Sequence, residues 1–185
     1  MDIKGVFTIM PTPFTAAGEL DVPSLERLVD FQIDCGVYGL AILGFLGEAH
    51  KLASAERRSV IQTVLARVAG RIPVWVGIRA LGTIAAIEQA REAEALGAQG
   101  LFAAPIGGLN DAALFDYYRA LAAAVKLPVY IHDYPEALGA EITAELVARC
   151  VTDGGVAGIK LEEPPVGIKL SRIRALAGTQ CRIFG

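Results

Sequence analysis

The stretch Pro128–Asp133 reads PVYIHD, and after an amphipathic segment the stretch Val156–Leu161 reads VAGIKL. Both stretches are mostly apolar and do not alternate with polar residues, which is typical of strands buried on both faces of a parallel sheet. Further short runs share this pattern: Gly5–Pro11, Tyr38–Gly44, Pro73–Ile78, Gly100–Pro105 and Arg182–Gly185. The sequence therefore predicts a series of buried, parallel strands.

Helical patterns fill the segments between these runs. One begins behind Asp21 and one at Ser54, and others span about Thr83–Leu96, Asp111–Val125, Thr143–Val151 and Val166–Ala177. Strand starts recur at intervals of roughly 25–35 residues, as in a repeated strand–helix unit. Right-handed crossovers wind such units into a closed barrel or an open doubly wound sheet. The pattern favours the barrel without excluding the open sheet.

The length of the chain bears on the barrel prediction. A complete (β/α)8 barrel usually needs about 250 residues, whereas this chain has 185. It supplies six strand–helix units and the start of a seventh strand, which would leave apolar strands at unpaired edges. We therefore expect a single TIM barrel domain over residues 1–185, truncated after the start of strand seven, with its C-terminal part absent.

Bulk properties narrow the possible partners. The formal net charge is −3, so no basic field favours nucleic acid or an anionic membrane. The N-terminus lacks the pattern of a signal peptide, and no apolar run approaches the roughly 18 residues of a membrane span. Cys35, Cys150 and Cys181 are widely spaced without metal-site spacing and are expected to be small core residues. These features predict a cytoplasmic protein without nucleic-acid or membrane partners.

Lys160 closes the apolar run VAGIK, where a charged side chain has no evident structural purpose. Catalytic groups of barrel enzymes lie at the carboxyl ends of the strands. A buried amine is more easily held neutral, and a neutral amine attacks a ketone to form an iminium, which then acts as an electron sink. The alternative is a lysine that reaches solvent or pairs with Glu162 or Glu163.

His132 lies on the run next to that of Lys160. Tyr130 and Tyr134 share its parity, so the three side chains should point to one side of the sheet. On the side of Lys160, His132 would be suited to proton transfer near neutral pH. A packed, hydrogen-bonded core histidine is the alternative interpretation.

The segment Gly44–Glu48, with the sequence GFLGE, follows the second run. Gly44 and Gly47 permit tight turns whose backbone N–H groups could bind a carboxylate. A turn that the fold alone requires would look the same.

Several motifs follow one another in the order of a known family. They are Pro11-Thr12-Pro13-Phe14, then Gly44–Glu48, and finally Gly158-Ile159-Lys160. In these the chain resembles the dihydrodipicolinate synthase / N-acetylneuraminate lyase family of class I aldolases. The resemblance implies a (β/α)8 barrel in which Lys160 forms a Schiff base with pyruvate or a related 2-oxo acid. It also implies no metal and no organic cofactor, a homotetramer or homodimer, and a substrate-lining position for Gly185.

The chain departs from the family at several site positions. Phe45 and Leu46 stand where the family has two threonines that hold the substrate carboxylate and pass protons. His132 stands at the position of the catalytic tyrosine, and the arginine that follows it in the synthases falls at about Ala137. The strand-four tyrosine of those synthases falls near Ile106-Gly107. These departures describe a divergent member, and we hypothesise that His132, with Tyr134, replaces the missing tyrosine.

Three functions agree with these observations. The first is a Schiff-base lyase in which Lys160 and His132 are catalytic, and Gly44, Phe45, Leu46, Gly47, Glu48, Tyr134 and Gly185 bind the substrate. The second is a dehydratase or hydrolase that uses the same lysine on a sugar acid or another 2-oxo acid. The third is a non-catalytic barrel that binds a small acid.

Overall fold

A computed structural model describes residues 4–185, in which strands and helices alternate. The strands are β1 (Phe7–Ile9), β2 (Gly39–Ile42), β3 (Val74–Ile78), β4 (Gly100–Ala103), β5 (Val129–Asp133), β6 (Gly158–Leu161) and β7 (Arg182–Phe184). The helices are α1 (Val22–Asp34), α2 (Ser54–Val68), α3 (Thr83–Leu96), α4 (Asp111–Ala124), α5 (Pro135–Leu138), α6 (Ala144–Thr152) and α7 (Val166–Ala177). Each strand lies inside a predicted apolar run, so the strand predictions are confirmed.

The chain divides into two compact units. One comprises the residues up to Gly77 together with Glu92–Gln99, and the other comprises Ile78–Arg91 together with Gly100–Gly185. Strand β3 and helix α3 therefore contribute residues to both units. The expectation of a single domain over residues 1–185 stays a prediction.

In the first unit, β1 pairs in parallel with β2, and β2 pairs in parallel with β3. All four residues of β2 are buried, as are the five of β3, which is the burial expected of parallel strands covered on both faces. Helix α1 begins behind Asp21, whose carboxylate accepts a hydrogen bond of 2.9 Å from the backbone N–H of Ser24. This cap satisfies one of the N–H groups that a helix start leaves unpaired.

The carboxyl end of β2 is shaped by a close approach of two backbone segments. Leu43 is buried and has a φ of 57°, a left-handed conformation that is costly for a residue with a branched side chain. Gly77 of β3 lies so close that a Cβ added there would be 2.0 Å from the carbonyl oxygen of Leu43. The missing side chain at Gly77 thus makes room for the turn that leads into Gly44–Glu48.

We expect Gly77→Ala to destabilise the protein by about 3 kcal/mol, because the new methyl group meets rigid backbone rather than a movable side chain. Urea unfolding would measure the change. Gly167→Ala is the matched control: Gly167 lies in α7 with open space around its Cβ position, so helix propensity should make this variant about 1 kcal/mol more stable. Equal stability of the Gly77→Ala variant and the wild type would contradict the packing account.

In the second unit, β4, β5, β6 and β7 pair in parallel in that order. Helix α4 is anchored to the end of β4 by two buried tyrosines, since Tyr117 donates to the carbonyl of Ala104 at 3.1 Å and Tyr118 donates to that of Ala103 at 3.2 Å. These contacts fix the carboxyl end of β4 beside β5, the strand that carries His132.

The cysteine prediction is correct for two of the three residues. Cys150 and Cys181 are buried, and burial raises the pKa of their thiols to about 12 and about 11. Cys35 is exposed directly after α1, so its assignment to the core is wrong. The prediction rested on the apolar residues next to Cys35 in the sequence, but Cys35 is the C-cap residue of helix α1, and its side chain is exposed there.

Candidate active site

Lys160 and His132 occupy neighbouring positions on adjacent strands. In the parallel register of β5 and β6, the Cα of His132 faces that of Lys160, and Lys160 in turn faces Phe184 of β7. Laterally paired residues of a parallel sheet direct their side chains to the same face. The two predicted catalytic residues therefore lie side by side on one face, near the carboxyl ends of their strands.

The face that they share is the one opposite helix α7. Asp133, the next residue of β5, points the other way, and its Oδ2 accepts a hydrogen bond of 2.9 Å from Nζ of Lys169 in α7. Because side chains alternate along a strand, Lys160 and His132 face away from that helix. Both are nevertheless well covered, with exposed fractions of 7% for Lys160 and 5% for His132.

Both side chains bind the same carboxylate oxygen. Oε2 of Glu162 forms an ion pair with Nζ of Lys160 and lies 3.1 Å from Nε2 of His132. Glu162 is itself held in place, because its backbone N–H donates to the carbonyl of Asp133 at 2.9 Å. Lys160, Glu162 and His132 thus form a connected group, which we call the lysine–glutamate–histidine cluster.

Charge and burial oppose each other within this cluster. Burial by itself raises the pKa of Glu162, but the hydrogen bond from His132 and the charge of Lys160 together lower it to about 2. Burial lowers the pKa of His132; the hydrogen bond to Glu162 opposes this effect, and the charges of Lys160 and Arg79 reinforce it. His132 is therefore neutral near pH 7. Because the ionised carboxylate only accepts hydrogen bonds, Nε2 of His132 carries the proton.

Packing also fixes the histidine ring. The ring of Phe102 on β4 contacts His132 edge-to-face, with the ring centroids 5.4 Å apart. An imidazole held by an aromatic edge on one side and a carboxylate on another has little freedom to rotate. The arrangement is thus suited to proton transfer in a fixed direction.

A second ion-pair cluster lies on the helix side of the sheet. Nζ of Lys169 pairs with both Asp133 and Glu163. The side chain of Asp133 is fully buried, and burial raises its pKa against the opposing effect of Lys169. Lys169 is therefore committed to two carboxylates away from the face of Lys160, and it serves below as a matched control.

In the sequence, Glu162 and Glu163 are equal candidates for an ion pair with Lys160. The structure distinguishes the two, since Glu162 pairs with Lys160 and Glu163 pairs with Lys169. Parity along the chain agrees with this pairing, since Glu162 has the same parity as Lys160 and Glu163 has the opposite parity.

Two other predicted substrate-binding residues lie in the same unit. Tyr134 directly follows β5, is half-buried, and precedes the short helix α5. Gly185 directly follows β7, where a Cβ would be 3.1 Å from the carbonyl oxygen of Leu161. Both therefore lie at strand ends near the cluster, and their roles in substrate binding stay predictions.

The predicted substrate loop Gly44–Glu48 belongs to the other unit. The hydroxyl of Thr12 donates to the carbonyl of Gly47 at 2.7 Å, and this bond ties the loop to the segment that follows β1. Phe45 is stacked on His50 with ring centroids 5.6 Å apart.

Leu46 and Glu48 of the same loop differ in their surroundings. Leu46 is exposed to 62%. Glu48 has a φ of 55° and forms an ion pair of 2.7 Å with Lys51, and the hydrogen bond from Lys51 lowers its pKa. The role of this loop in binding a substrate stays a prediction.

No group of three or more His, Cys, Asp or Glu side chains among residues 4–185 is arranged to hold a metal ion. The cluster offers instead an amine, a carboxylate and a neutral imidazole within hydrogen-bond reach of one another. Such a set can form a covalent adduct with a carbonyl compound and move protons around it.

Comparisons with known proteins show which family the chain resembles. The sequence model of the Dihydrodipicolinate synthetase family matches residues 2–182. The chain is 36% identical over 162 residues to a 4-hydroxy-tetrahydrodipicolinate synthase of Stenotrophomonas maltophilia, covering 86% of this chain and 54% of that protein. It is 34% identical over 181 residues to an L-2-keto-3-deoxyarabonate dehydratase of Azospirillum brasilense, covering 95% of this chain and 58% of that protein.

A solved structure shows the same fold. The dihydrodipicolinate synthase of Acinetobacter baumannii, determined in complex with pyruvate, matches with a TM-score of 0.90 and 29% identity. The match covers 98% of this chain and 63% of that one. It confirms the predicted (β/α)8 fold class, and this chain spans about half the length of the curated relatives that it matches.

Proposed function

The chain belongs to the dihydrodipicolinate synthetase family, and on this basis we propose that it acts as a lyase whose Lys160 forms a Schiff base with pyruvate or a related 2-oxo acid. The observation that carries the proposal is the position of Lys160. It is a buried lysine at the carboxyl end of a strand, next to a neutral histidine and a shared carboxylate.

The reaction follows from the chemistry of a buried amine. Nζ of Lys160 attacks the C2 carbonyl of the 2-oxo acid, and loss of water leaves an iminium. The iminium withdraws electrons from C3, so that a proton bound there can leave and an enamine forms. The enamine carbon then attacks an aldehyde, or in the reverse direction a bond at C3 breaks.

His132 is the base proposed for the step at C3. It is neutral near pH 7 because burial lowers its pKa, and it lies beside Lys160 on the same face of the sheet. Its free ring nitrogen can accept a proton while Nε2–H stays bonded to Glu162. This supports the hypothesis that an imidazole takes over proton transfer where the family has a tyrosine.

A 2-oxo acid is the proposed substrate because the matched structure from Acinetobacter baumannii was determined with pyruvate. In the resemblance, Phe45 and Leu46 stand where the family has two threonines. We propose that the preferred substrate carries more apolar bulk than pyruvate, and that pyruvate reacts as the smallest acid of the series.

A dehydratase is the second candidate, and the similarity to the Azospirillum brasilense dehydratase supports it. Both functions proceed through the iminium. They differ only in which bond breaks, at C3 or further along the substrate. A dehydratase releases water and a new 2-oxo acid, whereas an aldolase releases pyruvate and an aldehyde. A product assay on 2-keto-3-deoxy sugar acids distinguishes them.

We also propose that the protein is a homotetramer or homodimer, as the resemblance implies, and that it is cytoplasmic, as its bulk properties predict. None of the helices among residues 4–185 combines the length and the apolar character that a membrane crossing requires. Size-exclusion chromatography with light scattering would measure the subunit number.

Borohydride reduction with a panel of 2-oxo acids tests the proposal. The reagent reduces an iminium to a stable secondary amine, so a reactive acid should produce a covalent mass increase and permanent inactivation. Borohydride without an acid is the control and should leave the mass unchanged. A panel with no adduct, together with thermal stabilisation by one of the acids, would favour the non-catalytic binding barrel instead.

A further inference from the structure

We propose that Glu162 is a catalytic acid–base residue that takes the proton from Lys160 before attack and returns it when water leaves. This inference rests on the proposed Schiff-base chemistry and assigns a third residue to it. The contacts of Glu162 within the lysine–glutamate–histidine cluster carry the inference, and the family resemblance does not.

Geometry singles out Glu162 as the proton acceptor. Among residues 4–185, Nζ of Lys160 forms its ion pair with Oε2 of Glu162. The same oxygen lies 3.1 Å from Nε2 of His132, so the carboxylate bridges the proposed nucleophile and the proposed base. The backbone bond from Glu162 to the carbonyl of Asp133 fixes the bridge relative to both strands.

An acceptor is needed because an ammonium has no lone pair with which to attack a carbonyl. In the first step, a proton passes from Nζ of Lys160 to Oε2 of Glu162, leaving a neutral amine and a carboxylic acid. The amine attacks C2, one N–H proton moves to the former carbonyl oxygen, and a carbinolamine results. Glu162 then protonates the hydroxyl, which leaves as water while the nitrogen lone pair forms the iminium.

The protons balance over these steps. The ammonium starts with three, of which two leave in the water molecule and one remains on the iminium nitrogen. Glu162 ends as the carboxylate with which it began, now beside the positive iminium. The residue is therefore regenerated and acts as a true catalyst.

The contact between Nζ of Lys160 and Oε2 of Glu162 gives the first transfer a direct path, because the two groups already share a hydrogen bond. In the ionised pair, the contacts from His132 and Lys160 lower the pKa of Glu162 to about 2, so the neutral pair is a minor state that the attack on C2 consumes. Glu162 is half-buried, and a substrate that excludes the remaining water makes the two charges more costly and so assists the transfer.

Glu162→Gln is the primary test, because the amide keeps the size of the side chain but neither accepts the proton nor returns it. The rate of adduct formation with pyruvate, trapped by borohydride, should fall about 100-fold. Glu163→Gln is the matched control, since Glu163 pairs with Lys169 on the other side of the sheet, and its rate should stay within about twofold of the wild type. Thermal unfolding midpoints of both variants show whether the fold is kept.

Chemical rescue separates proton transfer from simple positioning. In Glu162→Ala, added formate can enter the space of the missing carboxylate, so the trapping rate should rise with formate concentration by at least tenfold. The Glu162→Gln variant, whose space is filled, should show no rescue.

The outcomes distinguish the inference from the proposed function. If the wild-type protein forms no adduct with any acid of the panel, the Schiff-base proposal itself fails. If the wild type forms one and Glu162→Gln forms it equally fast, or if Glu162→Ala is slow and formate has no effect, the role of Glu162 in proton transfer is overturned.

Discussion

Lys160→Arg is expected to abolish the exchange of the pyruvate methyl protons with deuterated water, with a loss of about 10⁴-fold or more. This exchange requires the enamine and therefore the iminium. Arginine keeps the positive charge that pairs with Glu162, so the cluster stays electrostatically balanced. Its guanidinium does not lose a proton in proteins and cannot act as the nucleophile. The exchange is followed by the decay of the methyl signal in the proton NMR spectrum.

Lys169→Arg is the control for that variant. Lys169 is also a largely buried lysine in two ion pairs, but its partners Asp133 and Glu163 lie on the helix side of the sheet. We expect its exchange rate to stay within about threefold of the wild type, since arginine can keep both contacts. Retained exchange in Lys160→Arg, or equal losses in the two variants, would contradict the assignment of the nucleophile.

His132→Gln is expected to slow the same exchange by about 10³-fold while adduct formation under borohydride continues. The reason is a division of roles, in which Lys160 and Glu162 form the iminium and His132 removes the proton from C3. Glutamine keeps a hydrogen-bond donor for Glu162 but has no basic nitrogen. A variant that loses both reactions to the same extent would show that His132 acts before the iminium forms.

The pH dependence of exchange gives a second measure of His132. Burial lowers its pKa below the ordinary value of 6.5, and only the neutral ring accepts a proton. The rate is therefore retained as the pH falls through 6.5 and is lost as it falls through the lower pKa of the folded protein. A loss that begins above pH 7 would contradict a buried, neutral histidine.

The strands were predictable because each is a short apolar run that the fold buries on both faces. Helices α3 and α7 have the predicted bounds, Thr83–Leu96 and Val166–Ala177, and each is followed by a glycine with a positive φ, Gly97 or Gly178, that marks its C-terminal end. The short helix α5 was missed because its four residues, Pro135–Leu138, are too few to show a helical period. The exposure of Cys35 was missed because it depends on where the chain turns after α1.

The pairing of Lys160 with His132 was predictable from strand order and parity. The role of Glu162 was not predicted, although parity places it on the side of Lys160. Glu162 lies one residue beyond the end of β6, where side chains no longer have to alternate between the two faces of the sheet. The sequence alone does not fix the turn that places its carboxylate beside Lys160. The backbone bond that holds the main chain of Glu162 comes from a residue far away in the chain, Asp133.

The position of the reduced adduct is the most direct test of the account. After pyruvate and borohydride treatment, proteolysis and tandem mass spectrometry assign the modification to one of the five lysines, Lys4, Lys51, Lys126, Lys160 and Lys169. We predict a single modified residue, Lys160. Modification of Lys169 instead, or an even spread over the exposed lysines, would contradict the assignment of Lys160 as the Schiff-base lysine.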